Sequence, residues 1–146
     1  MKLPLIVRQI APATRGVAAV EFALAAPLAL LLLFGVIQIG FVMQAYSSLR
    51  SVAGTVSRYT VVQYMTGNQL SDNQIATVAV AQAIDNPYNL DGSQLDVTAV
   101  TDTVSGITGV KKINMTIDYV VPVIMPLIPR DSFNMQFEKS IYVYAP

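Results

Sequence analysis

The chain has 146 residues, with nine Lys+Arg balanced by nine Asp+Glu and no His, Cys or Trp. That inventory excludes zinc sites built on His or Cys, disulfides, thiol nucleophiles and any imidazole base. With 53% hydrophobic and 12% charged residues the chain is too apolar for disorder, and its neutrality argues against a nucleic-acid binder, which needs a basic face for phosphates.

In chain order, the first basic residues are Lys2, Arg8 and Arg15, with no acid among them. From Val17 to Ile37 there are 21 residues with one charge, Glu21. As a helix they span about 31 Å, the thickness of a bilayer core. The apolar character continues weakly through Gln38, Phe41, Val42 and Gln44 to Tyr46, a residue suited to the far interface. Residues 47–146 hold six bases and eight acids, so the basic flank predicts the N-terminus in the cytoplasm and the C-terminal part outside. A cleaved secretory signal fits poorly. Its apolar region should be shorter, Ala23-Leu24-Ala25 lies before the apolar core, and Gln44-Ala45-Tyr46-Ser47 is a poor cleavage site.

Helical spacing persists beyond the membrane segment. Val42, Ala45, Tyr46, Leu49, Val52, Ala53, Val56, Tyr59, Thr60 and Gln63 describe one face, with Ser47, Ser48, Arg50, Ser51 and Arg58 outside it. Gly54 weakens this helix without ending it, and Thr66-Gly67-Asn68 stops it after Met65. Residues 17–65 then form one helix of about 73 Å, half in lipid and half against a small domain. Ser71 with Gln74 reads as a capping box for a second helix through Ile84, ended by Asn86-Pro87, with a turn at Asp91-Gly92.

Alternation follows. Leu95, Val97, Ala99 and Thr101 share one face of a strand, and Gly106 to Gly109 reads as a hairpin turn. Val110, Ile113, Met115, Ile117 and Tyr119 predict a second strand with an irregularity at Lys111-Lys112. Pro122, Pro126 and Pro129 should break the next stretch into an apolar loop, before a third strand carrying Phe133, Met135, Phe137, Ile141 and Val143. The expected fold is α+β: a long N-terminal helix, a second short helix and a small antiparallel sheet of about three strands covering the helices on one face.

The segment Arg15-Gly16-Val17-Ala18-Ala19-Val20-Glu21-Phe22-Ala23, then Pro27 and a Leu-rich run, resembles the N-terminus of TadE-like proteins. These are minor pilins, or pseudopilins, of the tight-adherence (Tad/Flp) pilus, a branch of the type IV pilus superfamily. Tyr46 to Tyr59 and the proline-broken stretch from Tyr119 to Pro129 are similar to the family in outline. The resemblance implies a pilin-like fold and a division into three parts. Residues 1–16 would be a basic leader removed by a prepilin peptidase, 17–46 a transmembrane and assembly helix, and 47–146 an external α+β domain. Cleavage would fall between Gly16 and Val17, making Glu21 the fifth residue of the mature chain, followed by the family's aromatic at Phe22. An external domain of this length points to a minor pilin and not the main filament subunit.

The residues read in two ways at several points. Glu21 sits either at the cytoplasmic edge reaching water, or in lipid awaiting a cation. Cleavage after Gly16 would create such a cation, the Val17 α-amine of a neighbouring subunit. Pro27 removes the hydrogen bond to the Ala23 carbonyl, giving a passive kink or a turn that melts during assembly. Ala19 and Ala23 have a small-xxx-small spacing that is common in such segments. Asp85, Asn86, Asn89 and Asp91 are oxygen donors suited to calcium, but turn chemistry explains them better. Asn114-Met115-Thr116 fits a glycosylation sequon in mid-strand, without meaning in a bacterial protein.

The reading is therefore a non-enzymatic, cofactor-free minor pseudopilin in the bacterial inner membrane, acting in Tad-type pilus assembly for adhesion and biofilm formation. Its implied partners are the prepilin peptidase, other minor pilins, an Flp-type major pilin, the inner-membrane assembly platform and membrane lipid. The alternatives are a pilus-tip adhesin, with Tyr59, Tyr64, Tyr88, Tyr142 and Tyr144 as contact residues, and a single-pass membrane-anchored binding module. An enzyme would need a nucleophile–base pair, and none is in view.

Overall fold

The computed structural model of the chain describes residues 14–102, 107–124 and 132–144, with side chains from Gly16 onward. Lys2, Arg8, Gly106, Pro126 and Pro129 lie outside the described residues. The elements are α1 (Thr14–Met65), α2 (Asp72–Ile84), a single 3₁₀ turn (Gly92–Gln94), β1 (Leu95–Asp102), β2 (Val110–Pro122) and β3 (Ser132–Tyr144). The three strands form one antiparallel sheet in the order β1-β2-β3. The architecture is the α+β arrangement expected, with both helices on one face of the sheet.

Helix α1 runs 52 residues and passes through both Pro27 and Gly54. It ends where three polar or flexible residues offer the last carbonyls other partners. Gly67, with φ +85°, takes the left-handed conformation that closes the helix at little steric cost. Its N–H donates to the Tyr64 carbonyl and that of Asn68 to the Gln63 carbonyl, the two bonds of a Schellman motif. Ser71 then caps α2. The Gln74 N–H donates to Ser71 Oγ at 3.3 Å, and the Ser71 N–H donates to Gln74 Oε1 at 2.9 Å.

The membrane-distal half of α1 lies over β2 and β3, and α2 lies over β1. Ala45, Leu49, Val52, Ala53, Val56, Thr60 and Tyr64 are buried, spaced by threes and fours along one stripe. They meet Ile75, Ala79 and Ala83 of α2 and the inward row Ile113, Met115, Ile117, Tyr119 and Val121 of β2, with Ile141 and Val143 of β3. The lengths match. From Gln38 to Met65 the helix rises about 40 Å. Strand β2 has 13 residues, which at full extension reach about 43 Å. The helix runs opposite to β2: Gln38 meets Pro122 at one end, and Gln69, just past the helix, meets Lys111 at the other.

Two sequence expectations are corrected. No irregularity interrupts β2 at Lys111-Lys112, because Lys111 pairs with Val143 and Lys112 with Tyr142 in unbroken register. Lys111 falls on the core-facing row at the strand's end, where its Nζ escapes burial by donating to Gln69 Oε1 at 3.1 Å. Pro122 does not break the strand before it either; it is the last residue of β2, paired with Ser132. There β1 has already ended, since its first residue, Leu95, pairs with Tyr119. Proline's missing N–H is tolerated at a position with a strand on one side only.

The helices are tied to the sheet at both ends by polar contacts. Asp72, in the first turn of α2, accepts from the Thr101 N–H at 3.0 Å and from the Thr101 hydroxyl, fixing α2 on β1. At the other end Gln38, only 5% exposed, donates from Nε2 to the Pro122 carbonyl at 3.2 Å and accepts the Ile124 N–H on Oε1 at 3.0 Å. One side-chain amide thus satisfies both a carbonyl and an N–H of the chain leaving β2.

Two stability outcomes follow. Ile113→Ala empties a fully buried position and should cost about 2–5 kcal/mol, against about 1 kcal/mol for Ser71→Ala, which removes only a cap. Thermal melting of the full chain in micelles, followed by circular dichroism, should give that order. Gln38→Leu leaves two main-chain groups to water at a half-open edge, for about 1 kcal/mol. Hydrogen exchange at the Ile124 amide should accelerate in this variant, while the Ile117 amide in the centre of β2 keeps its protection.

Candidate processing and assembly site

The expected processing residues lie in the first turns of α1. Gly16, Val17, Glu21 and Phe22 are all exposed, and Phe22 is 74% accessible. Val17 and Glu21 are four residues apart, hence on one face of the helix with a rise of about 6 Å between them. With Gly16 and Val20 they border a shallow surface hollow. Among the described residues Glu21 has no hydrogen-bond or ion-pair partner. The structure therefore brings Gly16, Val17 and Glu21 together as local helix neighbours, and leaves all three exposed among the described residues.

The same exposure extends along the apolar run. Leu24, Leu28, Leu30, Leu32, Leu33 and Val36 all present more than half their surface. Apolar side chains in such number, covered by nothing, mark a surface meant for lipid or for other helices. This one helix is long and apolar enough to cross a membrane, and it fits a single-pass anchor. Pro27 sits inside it, and the helix continues unbroken on both sides.

Among the described residues, hydrogen-bonded contact between α1 and the sheet begins at Gln38. Sequence reasoning passed over this residue as part of a weakening apolar run. A lone amide after 16 consecutive uncharged residues was the available signal, since a buried polar group in that position needs a partner. Just beyond it, a cleft of about 270 Å³ opens between α1, the segment before the 3₁₀ turn and the end of β2. Phe41, Ala45, Tyr88, Leu90, Val121 and Ile124 provide its apolar walls.

The tyrosines considered as surface contacts divide. Tyr64 is buried, and its hydroxyl donates to the Leu70 carbonyl at 3.0 Å, which makes it a core residue holding the α1–α2 turn. Tyr88 is half-buried against the core. Tyr59, Tyr142 and Tyr144 are exposed; Tyr144 also covers Gly109, whose φ of +79° serves the β1–β2 turn. Tyr46, expected at the membrane interface, sets its ring edge-on to Phe137 of β3 with centroids 5.9 Å apart.

The loop oxygens considered for calcium are occupied with one another and with the main chain. Asp85 Oδ1 accepts the Asn86 N–H, and Asn86 Oδ1 accepts from Asn89 Nδ2. Asp91 Oδ1 accepts from the Ser93 hydroxyl at 2.7 Å and the Ser93 N–H at 2.9 Å, which holds its carboxyl below the usual carboxylate range. Turn formation accounts for these residues. Asn114 of the sequon is half-buried in the central strand, with Oδ1 accepting from the Ser140 hydroxyl at 2.9 Å.

No curated protein and no solved structure gives a significant match to the chain. The family model described as TadE-like protein matches residues 16–58, from the residue before the expected cut to well inside the packed half of α1, and so suggests a protein associated with the Tad pilus.

Proposed function

We propose that the chain is a minor pseudopilin of a Tad-type pilus, anchored by residues 17–37 of α1 and presenting the α+β domain outside the inner membrane. The observation that carries this reading is the placement of Glu21. It is a lone carboxylate, without a partner among the described residues, on an exposed apolar helix, five residues after Gly16 in a segment that matches the TadE-like family. A carboxylate moved into hydrocarbon costs about 2.5–3.5 kcal/mol on insertion scales unless it meets a cation. Cleavage after Gly16 provides that cation on a neighbour as the Val17 α-amine. The attraction between the two is strongest where water is excluded, and the pairing fixes the axial register of adjacent subunits. Phe22 packs beside the pair. Pro27 loosens one turn of the helix, which eases transfer of the segment from lipid to a helical bundle.

In this scheme the chain performs no catalysis; it is the substrate of the prepilin peptidase and a partner of other minor pilins, an Flp-type major pilin and the assembly platform. A tip-adhesin role draws on one observation, the exposure of Tyr142 and Tyr144 on the outer face of the sheet. Loss of attachment with piliation intact on removing that pair would favour it.

Processing is the first test. N-terminal sequencing of the mature protein should begin Val17-Ala18-Ala19-Val20-Glu21, and Gly16→Val should leave the uncleaved chain in the membrane. A mature start after Ala45 would mean ordinary secretion and would sink the pseudopilin reading.

Assembly is the second. Glu21→Ala should still be cleaved and should insert more readily, yet pilus number and cross-linking to other minor pilins should fall at least tenfold. Glu21→Gln should fall between the two, and Glu21→Asp should assemble poorly because its shorter side chain misses the amine. Normal piliation with a stable, cleaved Glu21→Ala protein would reduce the carboxylate to an interfacial bystander.

A further inference from the structure

The charges of the sheet are sorted by face. Alternation along the strands puts Asp96, Asp102, Asp118 and Glu138, all the acids of the three strands, in the outward rows, where Lys112 is the one base. Lys111 and Lys139 fall in the rows that face the helices. On that same side α1 exposes Arg50 and Arg58 and, beyond Glu21, carries no acid. The acid of α2, Asp72, is engaged by Thr101. The chain is neutral overall, so its charge is divided between two surfaces of opposite sign.

The two surfaces also match in height. Counted from the Gln38–Pro122 contact, Asp118 stands four residues back along β2, at about 13 Å, and Thr116, the partner of Glu138, at about 20 Å. Asp96 is directly across from Asp118. On α1, which runs the other way, Arg50 stands twelve residues beyond Gln38, at about 18 Å. Lys139, paired with Met115, is at about 23 Å. Tyr46 lies against Phe137, so Arg50, one turn beyond Tyr46, and Lys139, two residues beyond Phe137, share one flank of the domain. Arg50, Lys139, Asp96 and Glu138 are exposed and Asp118 is half-buried. Like charges directly opposite, as at Asp96 and Asp118, weaken strand pairing, and a cation brought from outside would relieve them.

We infer that two copies of this chain, anchored side by side at one height in a membrane, dock the Arg50–Lys139 flank of one onto the Asp96–Asp118–Glu138 face of the next. The occupant is a second copy because one chain carries both signs of charge at the same distance from the anchor. This rests on the reading of residues 17–37 as a membrane anchor, and does not require cleavage after Gly16. The two surfaces are different, so each docked copy keeps one of them open, and the contact extends into a row or closes into a ring. Exposed ion pairs are individually weak and screened by salt. Confinement to one membrane raises the effective concentration of the neighbouring domain, which lets weak pairs act. The contact gathers anchored subunits before any of them leaves the bilayer.

The chain has no Cys, so introduced thiols report contacts without background. Ser47, about 14 Å beyond Gln38, and Gln136, across from Asp118, are exposed and lie at matching heights beside the two charged groups. Uncleaved full-length Ser47→Cys and Gln136→Cys proteins, one of them enlarged by a tag, are reconstituted together in phosphatidylcholine vesicles and oxidised. Carbonate extraction reports insertion. The mixed disulfide should exceed either like-with-like product at least fivefold. Arg50→Glu in the Ser47→Cys protein should lower it at least fivefold, and Glu138→Lys in the Gln136→Cys protein should then recover at least half of the loss. A tenfold rise in salt should lower the unaltered product at least threefold. From inserted protein, the absence of a mixed disulfide, like-with-like products in equal yield, a mixed product unmoved by Arg50→Glu or by salt, or no recovery with Glu138→Lys would each overturn the inference. Protein that carbonate removes from the vesicles would instead refute the anchor beneath it. No peptidase is present, so none of these results turns on the Val17 amine, and a failure of processing in cells would leave this contact standing.

Discussion

A single helix, α1, has to satisfy two environments along its length, and the rest of the fold is arranged around the point where one gives way to the other. From Val17 to Ile37 its side chains are apolar on every face apart from Glu21, and among the described residues most of them are exposed. From Ala45 onward only one stripe is buried, and the opposite face carries Arg50 and Arg58 in the open. An all-round apolar helix is stable only where its surroundings are apolar on all sides, whereas a striped one needs a partner on one side and water on the other. Gln38 stands at the changeover. Its amide cannot remain unsatisfied, and it is satisfied by main-chain groups at the end of β2.

That junction sets the geometry of everything above it. Because β2 runs opposite to α1 and matches the length of its distal half, the sheet can cover the buried stripe from Ala45 to Tyr64 without overhang. The short β1 leaves room for α2, whose small residues Ala79 and Ala83 allow close packing beside α1. The Asp72–Thr101 contact closes the far end as Gln38 closes the near end. The domain is therefore held to the helix along its whole length, so that a force or displacement applied to the anchor is delivered to the sheet.

The anchor half carries the opposite logic. Among the described residues its apolar surface is left largely exposed and Glu21 has no cationic partner. Under the proposed function, leaving these demands unmet within one chain would favour assembly, since a neighbour or a membrane can answer them. The α+β part of the chain, by contrast, buries the inward row from Ile113 to Val121 and bonds its loop oxygens locally.

Much of this was legible in the residues themselves. The long apolar run, the stripe from Ala45 to Val56, the Ser71–Gln74 capping box and the alternation in β1 and β2 are local patterns with fixed periods, and a period of 3.6 or 2 is imposed by backbone geometry whatever the surroundings. The place of Glu21 relative to Gly16 is likewise a matter of counting along one helix. Other features depended on which segments meet. Lys111 looked like a break in the strand because its charge interrupts an apolar row, yet Gln69, 42 positions away, supplies the partner that lets the register continue. Tyr64 looked like a surface residue until the turn carrying Leu70 folded back over it. Gln38 offered only a lone amide after an apolar run; what it bonds to could not be read locally, because its partners lie more than 80 residues along the chain, at the end of a strand whose length only its pairing with β3 determines.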